Sequence, residues 1–378
     1  MTHPEGPMIT PPTGMPGLTD DMITFGQSAA LTGPSKALGE GMRLGIRAAF
    51  AEANANGGVH ERRLELTTRD DMYESDQAFA KTRQLIGQDG VFGLIGAVGT
   101  PTSRAALPLA KAGKVPFVGA FTGAQLLRED DQDFILNVRA SYHDETEQMV
   151  AYLKSMGKTK VAVLYQNDSY GQDGLKGVEN ALKQPGREDM TLVQSWYYGR
   201  NTTAVKAAAF RINKAKPDAV IIIGGYAPTA KFIEQLRMRM MDDPTFMAVS
   251  FVGSNALRDE LVRLEETTSD VYVTQVVPLP SDESVTKYRD ALSAVDPDAE
   301  PGFVSLEGYL AGRLAIERLK ACGTNVTREC FLNVFSEDTP PIDIAGLQLQ
   351  YGPGDNQGSD EVFLTRINDA GQFELVAE

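Results

Sequence analysis

From residue 22 onward, short β-branched runs alternate with amphipathic segments, and that alternation restricts the chain to a parallel α/β architecture. Strands are expected over 22–30, 64–69, 91–96 and 115–119, with helices over 39–56, 75–87 and 102–112 between them. The helix over 39–56 carries Met42, Ile46, Phe50 and Ala53 on one face, and Gly57-Gly58 stops it. A second series begins after Arg139, with helices over 143–156, 171–183, 203–214 and 229–240. Its strands are expected over 160–165, 192–196, 219–224 and 246–253. A helix over 304–319 and late strands over 361–367 and 373–376 complete the pattern. Two βα series of similar size within 378 residues point to two similar lobes, not one shared core.

The formal net charge of −15 argues against a nucleic-acid partner, because phosphate binding needs a basic surface. It also disfavours an anionic lipid surface. The sequence holds no apolar run of about 18 residues, the length a membrane-spanning helix requires. Residues 1–21 are rich in Pro and Gly and lack a basic start and apolar stretch, so they read as a flexible leader and not a signal peptide. A lipoprotein tether and a cloning remnant both fit that segment. Cys322 and Cys330 are the only cysteines and lack zinc-ligand spacing. They read either as free thiols or as one disulfide closing a helix–turn–helix, and export from the cytoplasm would favour the bond.

Motifs for chemistry fail on spacing. Gly39-Glu40-Gly41-Met42-Arg43-Leu44-Gly45 is one residue too long for a dinucleotide fingerprint and opens a helix too far from its strand. Gly157-Lys158-Thr159 precedes a strand, whereas a phosphate loop follows one. His3, His60 and His143 are isolated, and no nucleophile elbow or Cys–His pair exists. Acidic pairs such as Asp70-Asp71 and Glu265-Glu266 read as solvated loops. No catalytic residue, metal site or cofactor is expected.

Several strings resemble the leucine/isoleucine/valine-binding proteins of ABC uptake systems, the type I periplasmic-binding-protein family. They are Ala30-Leu31-Thr32-Gly33-Pro34, Asn54-Ala55-Asn56-Gly57-Gly58-Val59 and Arg69-Asp70-Asp71. Further matches are Leu94-Ile95-Gly96 with Thr100, Thr102 and Ser103, then Tyr170-Gly171, Lys216-Pro217-Asp218, and Gly225-Tyr226. The resemblance implies two Rossmann-like lobes joined by three crossing strands, with ligand between them. The lobes are then 22–138 plus 278–350 and 139–277 plus 351–378, hinged near Arg139, Val277 and Tyr351.

The resemblance also implies a ligand set of Leu38, Gly99, Thr100, Phe121, Thr122, Gly123, Tyr170, Tyr226, Asn255, Glu307 and Tyr309. Thr100 takes the place of a carboxylate-binding hydroxyl, Gly123 that of a threonine, and neutral Asn255 that of the acid pairing with the ligand ammonium. The rings and the missing acid lead to an apolar or aromatic ligand rather than a branched-chain amino acid or amide, unless Glu307 replaces the lost charge. The expected protein is a monomeric, extracytoplasmic binding protein that serves a membrane transporter, in the periplasm if lipid-anchored or free. A ligand-sensing ectodomain or regulator is the alternative.

Overall fold

The computed structural model describes residues 14–130, 132–239, 244–335 and 340–376. The first series forms β1 (Met22–Ala29), α1 (Lys36–Ala55), β2 (Arg63–Asp70), α2 (Ser75–Gly87), β3 (Gly93–Ile95), α3 (Thr100–Ala112), β4 (Phe117–Val118) and β5 (Ile135–Leu136). These strands make a five-stranded parallel sheet in the order β2-β1-β3-β4-β5.

The second series runs α4 (Tyr142–Ser155), β6 (Lys160–Gln166), α5 (Ser169–Ala181), β7 (Thr191–Tyr198), α6 (Lys206–Ala215), β8 (Ala219–Ile223) and α7 (Tyr226–Arg237). It continues with β9 (Thr245–Ala248), α8 (Ser254–Arg263) and β10 (Val271–Gln275). Its parallel strands lie in the order β7-β6-β8-β9-β10, the same permutation as the first sheet. Two α/β halves of one topology are therefore present, as the alternation requires.

The remainder divides between them. Helices α9 (Thr286–Val295) and α10 (Phe303–Ala321) pack with α1, and short α11 (Arg328–Phe331) follows. A hairpin of β11 (Ile342–Ile344) and β12 (Leu347–Leu349) has no counterpart among the expected strands. Strands β13 (Phe363–Ile367) and β14 (Phe373–Leu375) then extend the second sheet, β13 antiparallel to β10 and β14 antiparallel to β13. The chain thus passes between the sheets after β5, after β10 and after β12. Two of these crossings pair directly: Asn137 N–H donates to the Asn356 carbonyl at 3.0 Å, and Gly358 N–H donates to that of Asn137 at 2.9 Å.

The glycines of the rejected nucleotide motif have a packing role. A Cβ on Gly45 would lie 1.8 Å from the Ser305 carbonyl oxygen, and one on Gly308 would lie 2.4 Å from that of Met42. Bare backbone on both helices lets α1 and α10 approach closely, which brings Leu38 and Glu307 toward the second half.

The expected leader is corrected in part. Residues 1–13 lie outside the described residues, but Met15 and Leu18 pack on the first half's core. Gly17 is so close to Val91 and Phe92 that a Cβ would meet the Phe92 nitrogen at 2.0 Å. Pro and Gly density misled here, because glycine permits the contact that a side chain would forbid.

Cys322, capping α10, is bonded to Cys330 in α11, with Cα atoms 5.8 Å apart. Closing so short a loop is worth about 2–3 kcal/mol by the chain-entropy relation. Protein alkylated under denaturing conditions without reductant is expected to take up no label, and two labels per chain after reduction. Full labelling without reductant would show that the thiols are free.

Candidate functional site

In a sheet of order 2-1-3-4-5, ligands collect at the carboxyl ends of the strands, near the point where the order reverses. Here the ends of both sheets face each other. The first half contributes Tyr73 after β2, Gly99 and Thr100 after β3, and Phe121 to Gly123 after β4. The second contributes Gln166 to Tyr170 around the start of α5, Gly224 to Tyr226 after β8, and Phe251 in a 3-10 turn, Ser250–Val252.

Aromatic rings interlock where these loops meet. Phe251 lies 5.3 Å from Phe121, 4.6 Å from Tyr170 and 6.0 Å from Tyr73, while Tyr142 lies 5.2 Å from Tyr170. All are buried, and the spacings fall within the attractive range for tilted rings. Burial pushes the hydroxyls of Tyr73, Tyr142 and Tyr170 well up, so they remain neutral donors at physiological pH.

A run of hydroxyls crosses this apolar cage. Thr100 Oγ1 and Thr122 Oγ1 lie 2.7 Å apart, and Thr122 Oγ1 donates to the Tyr142 oxygen at 3.2 Å. Thr100 opens α3 behind Gly99, whose φ of 96° favours glycine and whose Cβ would strike the Tyr73 ring at 2.1 Å. Gly123, expected to offer only backbone, brings no hydroxyl, and the neighbouring Thr122 of the expected set supplies the one beside Thr100. Gly123 instead packs on Tyr142, where a Cβ would lie 2.7 Å from the backbone nitrogen.

Below the rings lies a fully buried ion network. Arg139 contacts Glu145 at 2.9 Å and Glu307 at 3.5 Å, bonds to the Ser250 hydroxyl, and stands 5.2 Å from the Phe121 ring centroid. Glu145 also accepts from Ser250 N–H at 2.7 Å, the Ser250 hydroxyl at 2.9 Å and Thr274 Oγ1 at 2.6 Å. Glu307 has Arg139 as its partner, and burial outweighs that attraction, pushing its carboxyl up to about 7. Burial alone would lower the Arg139 pKa, but the two carboxylates overcome it and hold the guanidinium charged. Arg128 braces the crossing by donating to the carbonyls of Ala124 at 3.0 Å and Arg139 at 2.9 Å.

The other expected residues separate into two places. Leu38, Tyr226 and Asn255 lie beside the cage, with Tyr226 OH accepting from Ala37 N–H at 3.5 Å. Leu38 and Asn255 line a groove of about 350 Å³ together with Leu44, Gly253, Val304 and Ser305. Asn255 is not directed at the rings: it packs on Gly302 and bonds to Glu300. Tyr309 is not brought to the cage either. Its hydroxyl donates to Glu52 at 2.6 Å and its ring packs on Tyr288, 5.6 Å away, inside the first half. Two helical positions apart means about 200° around α10, so Glu307 and Tyr309 cannot serve one pocket.

Tyr73, Arg139, Tyr142, Glu145 and Phe251 were not among the expected site residues. The signal for Tyr142 and Glu145 was the capping box at Ser141 and Asp144, which fixes the start of α4 directly after Arg139.

Comparison with known proteins agrees with this geometry. Residues 22–372 match the family model described as periplasmic binding protein. A solved structure from Rhodopirellula baltica SH 1, described as a possible leucine/isoleucine/valine-binding protein, is 36% identical, with a TM-score of 0.86 over 97% of this chain and 98% of that one. The Leu/Ile/Val-binding protein homolog 7 of Brucella suis biovar 1 (strain 1330) is 26% identical over 56% of this chain and 55% of its own length. The chain thus spans about half the length of that curated relative. A solute-binding protein from R. palustris, solved in complex with 4-hydroxybenzoate, is 18% identical with a TM-score of 0.80 over 95% and 96% of the two chains, which shows the shared fold. With two α/β halves of one topology enclosing a buried cage at their strand ends, this chain belongs to the periplasmic binding protein family.

Proposed function

We propose that the protein is the extracytoplasmic solute-binding component of an ABC-type uptake system. Its lobes hinge at the crossings near Arg139, Val277 and Tyr351 and close on a small ligand with an aromatic or otherwise apolar body and one hydroxyl or carboxyl end. The observation that carries the ligand class is the cage of Tyr73, Phe121, Tyr142, Tyr170 and Phe251 around the Thr100–Thr122 hydroxyl pair. Apolar area buried against those rings contributes roughly 25 cal/mol per Å². The hydroxyls and the first turn of α3 suit the polar end.

Among the described residues, no carboxylate of the cage is free to pair with an α-ammonium. Glu145 is fully engaged, Glu307 is turned to Arg139, and Asn255 is neutral and directed elsewhere. Leaving a buried ammonium unpaired costs on the order of 3–5 kcal/mol, about two to four decades in affinity. Amino-acid binding is the second reading, favoured by the Thr122 hydroxyl and by the names of the relatives. Calorimetry on ligand-stripped, refolded protein separates the two, with isoleucine, 4-hydroxybenzoate and octanoate as probes. Heat is expected from the aromatic or alkyl acid, with isoleucine weaker by at least tenfold. Micromolar binding of isoleucine with no heat from the others would overturn the ligand class.

A further inference from the structure

Outside the cage, the loops after β2 and β7 meet across the gap between the two halves. They are topologically equivalent, since each follows the strand next to its sheet's first strand. Both hold non-glycine residues in the left-handed region: Met72 and Tyr73 at φ 56° and 58°, and Asn201 at φ 57°. Such backbone persists only where surrounding contacts over-determine it.

On the first side, Asp70 accepts from Met72 N–H at 2.9 Å and Asp71 from Tyr73 N–H at 2.9 Å. Asp71 is itself buried and accepts from Ser28 Oγ at 2.7 Å. These bonds present Glu74 and the Met72 carbonyl outward. On the second side, Arg200 reaches Glu74 at 2.8 Å and Asp168 at 3.3 Å. Asn201 Nδ2 donates to Glu74 at 2.7 Å and to the Met72 carbonyl at 3.1 Å. The Arg200 guanidinium stands 5.8 Å from the Tyr73 ring centroid, and Gln166 donates to the Tyr73 hydroxyl at 3.1 Å.

We propose that Glu74, Arg200 and Asn201 form a clasp at the rim of the cleft that sets how firmly the lobes close. The charged groups of the clasp bond to one another across the gap, and its outer edge is exposed at Met72, so it adds closing energy at the rim even before a ligand fills the cage. The clasp rests on the clamp reading above.

Nitroxide labels on cysteines introduced at exposed Arg83 and Lys176, one on each half, report the interlobe distance by pulsed electron resonance. In ligand-free protein, Arg200→Ala and Glu74→Gln are each expected to lower the closed-to-open ratio about three- to tenfold. The double variant should fall no further than Arg200→Ala alone, because both changes remove one interaction. Arg200→Lys should recover part of the loss. Distance distributions identical to wild type in both single variants would overturn the clasp, even if wild type moves on adding solute. A wild-type distance unchanged by every solute that binds would instead overturn the clamp on which it rests.

Discussion

Replacing Arg139 with Ala is expected to lower stability by about 3–5 kcal/mol at pH 8, read from denaturant titration. Arg139 is fully buried between Glu145 and Glu307, so its loss leaves two carboxylates facing each other without a cation. The same loss should shrink at pH 5, because Glu307 is then protonated and only Glu145 remains charged. The sign follows from the raised Glu307 carboxyl, which stands at about 7 in the folded protein against a usual value near 4.5. Its contribution to stability is complete below about 4.5 and is lost as pH rises through about 7. Asp71, pushed to about 6 by burial, acts in the same direction and persists in every Glu307 variant. Glu307→Gln should therefore match wild type near pH 4 and exceed it at pH 8 by on the order of 2 kcal/mol. An Arg139→Ala penalty equal at pH 5 and pH 8 would show that Glu307 does not titrate in this range.

The network that makes Arg139 so consequential was the least legible part of the sequence. The sequence marked Arg139 only as a hinge position, because its partners arrive from α4, α10 and the 3-10 turn of the other half. Phe251 was hidden within the apolar run expected as strand 246–253, whereas β9 ends at Ala248 and the chain turns to aim the ring across the cleft. Tyr73 sits in a left-handed conformation that nothing in its type suggests. The repeated βα order was legible because buried parallel strands and amphipathic helices each enforce their own period on the sequence. Thr100, Phe121 and Tyr170, expected from the resemblance, lie on segments that follow such strands. Tyr309 was misplaced although helical spacing alone separates it from Glu307. Register within a loop is set by tertiary contacts, and for Gly123 that contact is the Tyr142 backbone.

Phe121→Ala is expected to weaken binding of an aromatic or alkyl acid by about ten- to a hundredfold, whereas Asn255→Ala changes it by less than about fivefold. Phe121 joins the two halves of the cage, touching Phe251 at 5.3 Å and lying beneath the Arg139 guanidinium. Its truncation removes ring area that a ligand body would share, and also opens a cavity costing about 3–5 kcal/mol of stability. Asn255 packs on Gly302 at the groove and bonds to Glu300, so its loss removes one hydrogen bond to a carboxylate outside the cage. Because lowered stability alone could depress binding, Phe121→Leu serves as the companion variant, keeping apolar volume while removing the π face. It should fold close to wild type yet still bind 4-hydroxybenzoate less well than octanoate, relative to the parent. The ligand class would then rest on the ring and not on bulk hydrophobicity. If Asn255→Ala instead abolished binding while both Phe121 variants retained it, the recognition site would lie in the groove of Leu38 and Gly253, and the cage would be only the core that seals it.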